Sequence, residues 1–279
     1  MANIGATTAF YKVETALTRA NSEVSKSMER LATGKANASA GDRSSYVAMA
    51  DTFRLDYVGT KAGLKGAAVV MGYLETGMRV LDAASGLLSK LQELAVLAGN
   101  DTNTTADNNA INSEGEAIAD EFDRLLTDAT YKGKSIFTTA AGDMEVSVGG
   151  RSAAMSFGII EPVGIATYSA LYTGGALADT LSDWHASASG TATAKIEALQ
   201  AELNTRRVQA GSQYAALESA VSYTTDLTAQ YELGFNAVSD VNFSMETAHL
   251  AKNQILQQAA TAMLAQANQL PQTVLSLLQ

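Results

Sequence analysis

Cysteine is absent from this 279-residue chain, and there are only two prolines and one tryptophan. The lack of cysteine excludes disulfides, thiolate metal sites and cysteine nucleophiles. Because proline is the strongest helix breaker, its near absence leaves long stretches in which helices can run unbroken. The fold must therefore be stabilised by packing, and long helices are permitted.

Positive charge is also scarce, since 19 Lys and Arg stand against 29 Asp and Glu for a net charge of −10. With no dense run of basic residues, this balance argues against nucleic acid as a partner. The longest apolar runs, such as 67–71, are far shorter than the ~20 residues of a membrane-spanning helix, so we expect no membrane insertion. The N-terminus lacks the basic start and apolar stretch of a cleaved secretory signal, so any export would use another route.

The residue patterns of enzyme active sites are missing as well. The two histidines, His185 and His249, have no second histidine four residues away, which excludes a helical zinc motif of the HExxH type. No phosphate-binding loop, dinucleotide-binding turn or serine nucleophile elbow occurs. We therefore predict no catalytic residue, no metal site and no cofactor, and a protein that is not an enzyme.

The first half of the chain carries helical periodicity. Apolar residues from Phe10 to Leu31 recur at steps of three and four, which predicts an amphipathic helix that Gly34 ends. A proline-free stretch over 46–97 permits a helix of roughly 75 Å. Its six glycines predict close packing against neighbours, and the polar cluster 99–109 predicts a turn before a third helix over 111–129.

The period then changes. Met144, Val146 and Val148 alternate with polar residues, as do Met155, Phe157 and Ile159 further on, which predicts a β-hairpin over about 143–160. Residues 162–190 show no period and are interpreted as an irregular excursion. Helix is predicted again over 191–237, followed by a break near Asp240 and a terminal helix in which Pro271 should introduce a bend. The fold class is mainly α: a long antiparallel helical rod or coiled-coil bundle with a small β-hairpin and with its termini paired as helices.

Both termini carry an apolar stripe suited to helix packing. The stripe of the terminal helix is Leu256, Ala259, Met263, Ala267, Leu270, Val274 and Leu278, and Leu264 and Leu275 widen it beyond what one partner helix covers. Two interpretations stay open: an intramolecular pair of helices, or burial against further copies. The residues assigned to packing of the terminal helices or of neighbouring subunits are Phe10, Val13, Leu17, Val24, Met28, Leu31, Ile255, Leu256, Met263, Leu264, Leu270, Val274, Leu275 and Leu278.

The last 27 residues hold no charged side chain, although nine of them are Asn or Gln. This segment, NQILQQAATAMLAQANQLPQTVLSLLQ (Asn253 to Gln279), resembles the C-terminal signature of bacterial flagellins. LQELAVLAGNDTNT (Leu91 to Thr104), YKGKSIF (Tyr131 to Phe137) and LATGKANASAGD (Leu31 to Asp42) resemble further segments of that family. The resemblance covers about 1–160 and 191–279.

The resemblance implies a subunit in two layers. Residues 1–40 and 240–279 would form an inner-tube domain around an export channel, and 41–239 a helical rod domain with the hairpin and the short excursion. The uncharged amides Gln254, Gln258, Gln269 and Gln272 would face the bore. The small size of the excursion implies a minimal form with little or no outer variable domain.

The resemblance also implies location and partners. The chain would be a structural subunit secreted to the extracellular flagellar filament and active in motility. Its main partner would be itself, in a homopolymer. Further partners would be the flagellar type III export apparatus, a flagellin chaperone, and cap and junction proteins.

Three alternatives to the filament subunit stand beside it, of which a cytosolic helical scaffold is disfavoured because it would have no reason for a charge-free tail. A hook-filament junction protein shares the terminal helices but makes a short ring, and the close match over 253–279 favours the filament. An enzyme secreted on a filament is disfavoured by the missing zinc motif and the small excursion.

The chain departs from the family pattern at two places. In the linker, Ala36, Asn37 and Ala38 replace the usual Arg-Ile-Asn triplet and Arg43 replaces an Asp, so linker contacts between subunits are not carried over. The surface that a Toll-like receptor recognises in the family corresponds to Lys90, Leu94 and Glu114, with Lys90 in place of Arg. Because lysine lacks the two-pronged guanidinium, we expect weakened recognition.

Overall fold

The computed structural model describes residues 4–39, 41–140, 142–149, 154–160, 172–173, 176–177 and 192–277. The side chains of 4–7, 9, 172–173, 176–177, 192 and 267–277 are not part of that description. Helices dominate these residues, and short strand pairs accompany them. The predicted mainly α class is confirmed, as is the pairing of the two terminal helices.

Five helices run through the described residues. They are α1 (Ile4–Thr33), α2 (Ser44–Ala98), α3 (Thr105–Thr127), α4 (Ala192–Ser239) and α5 (Phe243–Leu277). Gly34 follows α1 with φ +70°, the left-handed conformation that ends many helices. The predicted break near Asp240 separates α4 from α5, and α5 continues through Pro271.

Helix α3 begins several residues before its predicted start at 111. The Thr104 hydroxyl accepts from the Asp107 amide, and the Asp107 carboxylate accepts from the Thr104 amide. This reciprocal capping box satisfies two amide donors that the helix itself leaves unbonded. Residues 105–109 are therefore helical, and the prediction of a turn over all of 99–109 was wrong.

The strands are β1 (Thr130–Tyr131), β2 (Lys134–Ser135), β3 (Phe137–Thr138), β4 (Met144–Ser147), β5 (Ala154–Phe157), β6 (Ile159–Ile160), β7 (Tyr172–Thr173) and β8 (Ala176–Leu177). The predicted hairpin is confirmed as β4 paired antiparallel with β5, in the register Val146 to Met155. β1 pairs antiparallel with β2, β7 antiparallel with β8, and β3 parallel with β6. Of the predicted excursion over 162–190, only β7 and β8 lie within the described residues, and β8 packs on α3.

The chain divides into two compact units. One joins Met1–Leu55 with Ala229–Gln279, and the other is Asp56–Thr228. The predicted inner-tube and rod domains, 1–40 with 240–279 and 41–239, concern layers of an assembly and stay a prediction.

The second unit holds the main core, to which α2, α3, α4 and the strands β3, β4, β5 and β6 contribute buried side chains. Its largest fully buried side chains are Leu74, Leu81, Leu88, Leu91, Leu126, Ile136, Ile159, Leu199 and Leu203. Tyr73 packs edge-on against Tyr131 and Phe157, and its hydroxyl donates to the Ser135 and Ile136 carbonyls. Its burial raises the pKa of Tyr73 to about 12. Some glycines of α2 allow the close packing of this core. A Cβ at Gly63, for example, would lie 2.5 Å from the Val148 carbonyl carbon.

Candidate functional site: the paired terminal helices

Helices α1 and α5 pack against one another, and we call the line of contact between them the seam. The α1 residues with reduced exposure alternate at steps of three and four, the pattern of two helices wound around one another. They are Phe10, Val13, Leu17, Ala20, Val24, Ser27 and Leu31, and Arg30 next to Leu31 is also partly buried. Met28, which the sequence placed in this stripe, is 56% exposed, and the smaller Ser27, 4% exposed, lies in the seam instead. In the single chain the α1 side of the pair thus follows the predicted stripe except at this one turn, and contacts of these residues with further copies stay a prediction.

On the α5 side the seam does not use the predicted stripe. The residues with reduced exposure are Glu246, Leu250, Asn253, Gln257, Ala260 and Leu264, again at steps of three and four. Two of them are amides, and the Gln257 side chain donates to Asn21 Oδ1 at 2.7 Å. The seam between the two ends of the chain is therefore partly polar.

The strongest apolar stripe of α5 faces solvent in the single chain. Ile255 is 65% exposed, Leu256 48%, Met263 51% and Met245 61%. Together with the exposed Ala248, Ala259 and Ala262 these residues form what we call the outer apolar face. At about 100° per residue, this face lies about 140° around α5 from the seam. Of the two interpretations left open, intramolecular pairing does not hold for Leu256 and Met263 in the single chain, because α5 carries two stripes and presents the more polar one to α1. Burial of these residues against further copies stays a prediction.

A third face of α5 is polar and uncharged. Gln254, Gln258 and Thr261 are exposed and lie about 90° from the seam, on the side away from the outer apolar face. We call this the amide face. Gln269 and Gln272, predicted to share its role, fall where side chains are not described, as do Leu270, Val274, Leu275 and Leu278 of the packing set.

The exposed surface of α1 has the opposite character. Lys12, Glu14, Arg19, Glu23 and Glu29 are all exposed and mix both signs of charge. Lys26 lies 4.0 Å from Glu23, an exposed pair that contributes little stability. The two terminal helices thus differ, because α1 carries charges outward and α5 carries none after Lys252.

The three residues of the predicted receptor-like surface do not share one exposed patch. Lys90 and Glu114 are exposed. Leu94 is only 7% exposed and belongs to the core of the second unit. Its assignment to a surface was wrong, because the periodicity of α2 directs this position inward. Lys90 and Glu114 stay predictions.

The described residues lack two further features, a metal-binding group and a membrane-spanning helix. Among them, no three His, Asp or Glu side chains are grouped so that they could hold a metal ion. Within the same residues, no helix has both the length and the apolarity needed to cross a bilayer.

Sequence reasoning missed three features of the terminal region. Met245 of the outer apolar face lies seven residues before Lys252, and Lys252 seven before Ala259, so a heptad spacing could have revealed it. Asn253 and Gln257 were missed because a scan for apolar residues passes over amides. Arg30, beside the last seam residue of α1, was not singled out, although a charge at the edge of an apolar stripe is a usable signal.

Two models of known protein families match the sequence of this chain. A family model described as the bacterial flagellin N-terminal helical region matches residues 6–141. A second, described as the bacterial flagellin C-terminal helical region, matches residues 193–278. The two matched regions between them contain α2, α3 and α5, and nearly all of α1 and α4.

Curated relatives match along almost the whole chain. A flagellin of Halalkalibacterium halodurans is 27% identical over 254 residues, which covers 91% of this chain and 91% of the relative. A flagellin of Bacillus subtilis is 26% identical over 286 residues, covering 93% and 94%. The flagellar filament 30.7 kDa core protein of Treponema maltophilum is 26% identical over 267 residues, covering 92% and 93%. The crystal structure of Bacillus cereus flagellin aligns with a TM-score of 0.48 and 24% identity, over 57% of this chain and 88% of that one.

Proposed function

The chain belongs to the bacterial flagellin family, and from this premise we propose how its terminal helices build the polymer. As a flagellin it is a structural subunit of the flagellar filament. The matched relatives are named as flagellins and filament core proteins, which favours this function over a junction protein. The open question is which surface of the terminal pair meets which neighbour.

The outer apolar face contacts neighbouring copies. Four large apolar side chains on one side of one helix are about half exposed or more. Each releases about 1.5 to 3 kcal/mol when it is fully buried, so the face as a whole favours association strongly. A patch of this kind on a soluble chain marks an interaction site. A second copy of the chain supplies the matching surface, because the family builds homopolymers.

The amide face lines the bore of the inner tube. An unfolded chain of net charge −10 passing through that bore would be retained by positive charges and opposed by negative ones. Uncharged amides such as Gln254 and Gln258 avoid both effects while staying hydrated. The uncharged surface of α5, beside the charged surface of α1, is the observation that carries this orientation.

We extend the proposal to export and partners. The subunit leaves the cell unfolded through a flagellar type III apparatus, with a flagellin chaperone, cap and junction proteins as partners. It acts outside the cell and has no catalytic role. The family resemblance supports these statements.

Reassembly tests the proposed function. Purified protein is heated to dissociate it, cooled with short seeds and imaged by electron microscopy. We expect long tubes of uniform diameter, whereas discrete rings or persistent monomers would contradict a filament subunit. A chain lacking residues 253–279 should fail to polymerise but keep most of its helical circular dichroism, and filaments from it would disprove the role given to α5.

A further inference from the structure

Gly158 joins two strands that pair with different partners. It follows β5, which is antiparallel to β4, and precedes β6, which is parallel to β3. Because Gly158 is buried, its amide and its carbonyl need hydrogen-bond partners within the protein. Its φ of +150° favours glycine, and a Cβ there would lie 3.0 Å from Thr138 Oγ1. The joint between β5 and β6 is therefore a position that suits glycine alone.

A single side chain from α4 bonds both backbone groups of this joint. The Gly158 amide donates to Gln213 Oε1 at 3.1 Å, and Gln213 Nε2 donates to the Gly158 carbonyl at 3.1 Å. The same exchange of two hydrogen bonds joins directly opposed residues of two antiparallel strands. We call these two bonds the amide clamp. The Gln213 carboxamide thus takes the place of a neighbouring strand at a residue that lies outside both strand pairs.

Gln213 lies on the core-facing side of α4. Ala210 and Leu217, which are 0% and 2% exposed, are three residues before it and four residues after it, so the three side chains share one face of the helix. A repeat of apolar residues predicts another apolar side chain between them. An amide at such a position can select one packing arrangement over its alternatives, as a buried asparagine does in a coiled coil.

The strands beside the clamp are poorly able to select an arrangement for themselves. β3 and β6 pair over two residues each, Phe137 with Ile159 and Thr138 with Ile160. In most strands a slip of one residue turns the apolar side chains away from the core and is prevented by that cost. Here the slip would replace Ile159, which is fully buried, with the identical side chain of Ile160. The apolar pattern therefore does not distinguish the two registers.

We propose that the amide clamp of Gln213 determines the register of β6 against β3. Moving β6 back by one residue requires an extra residue between β5 and β6, and a bulge at Gly158 would accommodate it. The bulge would draw the Gly158 amide and carbonyl away from Gln213 and leave a partly buried carboxamide without partners. That cost favours the register observed. Gln213 acts in this way within the second unit of a single chain, whether or not that chain polymerises.

Substitution of Gln213 in the soluble full-length chain tests the clamp. Gln213→Leu has a similar size but bonds neither backbone group, and Gln213→Glu keeps the acceptor but lacks the Nε2 donor. We expect the Gly158 amide to exchange its hydrogen at least about tenfold faster in both variants, because the clamp is lost. The control is Gln209→Leu, which changes a second partly buried glutamine of α4 whose Oε1 has no hydrogen-bond partner. Equal Gly158 exchange rates in the control and the Gln213 variants would overturn the proposal.

Contacts to Gly77 distinguish a change of register from a loss of stability. The Ile159 Cδ1 methyl packs against Gly77, so nuclear Overhauser contacts between these two residues mark the observed register. In both Gln213 variants we expect a second set of signals, in which Ile160 contacts Gly77, from about a tenth of the molecules or more. Leu217→Ala truncates the same face of α4 without touching the clamp, so it should lower the denaturation midpoint but keep one set. A single set with Ile159 contacts in both Gln213 variants would show that packing alone fixes the register.

Discussion

The Cδ1 methyl of Ile159 occupies the space in which a Cβ on residue 77 would lie, so Gly77 is the position where β6 packs directly onto α2. The Ile136 Cγ2 atom would be 3.0 Å from the same Cβ. Helix propensity alone favours replacing a glycine inside a helix. The packing of the strands therefore explains why glycine is present at this point of a long helix.

We expect Gly77→Ala to lower the free energy of unfolding by about 1 to 2 kcal/mol, because overpacking outweighs the gain in helix propensity. Denaturant unfolding followed by circular dichroism measures the change. Gly86→Ala is the control, since beyond its own stretch of helix backbone its Cβ would meet no atom within 4 Å. That substitution should stabilise the chain by about 0.5 to 1 kcal/mol, and equal signs for the two variants would contradict the packing argument.

Much of the helical framework can be predicted from sequence, because a helix that buries one stripe repeats apolar residues at steps of three and four. The repeat predicts α1, and its interruption predicts the break near Asp240. It fails at the start of α3, where Thr104 and Asp107 belong to a capping box although their composition is typical of a turn. The two-residue strands such as Phe137–Thr138 are too short to show a period of their own.

At the paired terminal helices, sequence periodicity is insufficient for a different reason. Sequence periodicity finds the most apolar stripe of α5, Leu256 and Met263, but does not indicate which partner covers it. In the single chain α1 covers Asn253 and Gln257 instead. Pairing geometry and a hydrogen bond from the Gln257 side chain to Asn21 Oδ1 accompany that choice, and neither follows from the hydropathy of α5 alone.

Disrupting the outer apolar face should block assembly without unfolding the chain. We expect the triple variant Ile255→Gln, Leu256→Gln, Met263→Gln to raise the critical concentration for polymerisation at least about 100-fold, since three side chains lose the benefit of burial. Sedimentation of assembled polymer measures it. The control carries three glutamines on or beside the amide face, at Thr247, Ala251 and Thr261. If both triple variants polymerise alike, the outer apolar face is not a subunit contact.

Making the seam apolar should strengthen the α1–α5 pair. Gln257→Leu places a leucine at a heptad position against α1, and we expect a gain of about 1 kcal/mol in the local stability of α5. Hydrogen exchange of α5 amides in the soluble chain reports this. Gln258→Leu, on the exposed neighbouring position, serves as the control and should give no such gain. A matching increase in both variants would mean that the seam does not run through Gln257.

Tyr73 should make stability depend on alkaline pH. Burial raises its pKa from 10.0 to about 12, so the folded state holds the proton more tightly than the unfolded state. The stabilisation is fully present below pH 10 and is lost as the pH rises from there through about 12. Tyr73→Phe should lower the unfolding free energy at pH 8 by ~1 to 2 kcal/mol, because two carbonyls lose their donor.

Unfolding of both chains between pH 8 and pH 11.5 checks the sign of this dependence. The difference between the original chain and Tyr73→Phe should shrink as the pH rises above 10. A difference that stays constant would show that the Tyr73 proton is not linked to folding.

Charges on the amide face should affect growth of the filament more than its stability. If Gln258 lines the bore, Gln258→Lys places a positive charge there in every copy of the polymer, where it attracts a passing chain of net charge −10. We expect reassembly in solution to proceed nearly as before but filaments on cells to be several-fold shorter, because passing subunits are retained. Thr18→Lys, on the exposed surface of α1, is the matched control and should leave filament length unchanged. Filament lengths measured by electron microscopy decide the matter: equal shortening in the two variants would place the effect outside the bore and would reverse the assignment of the amide face.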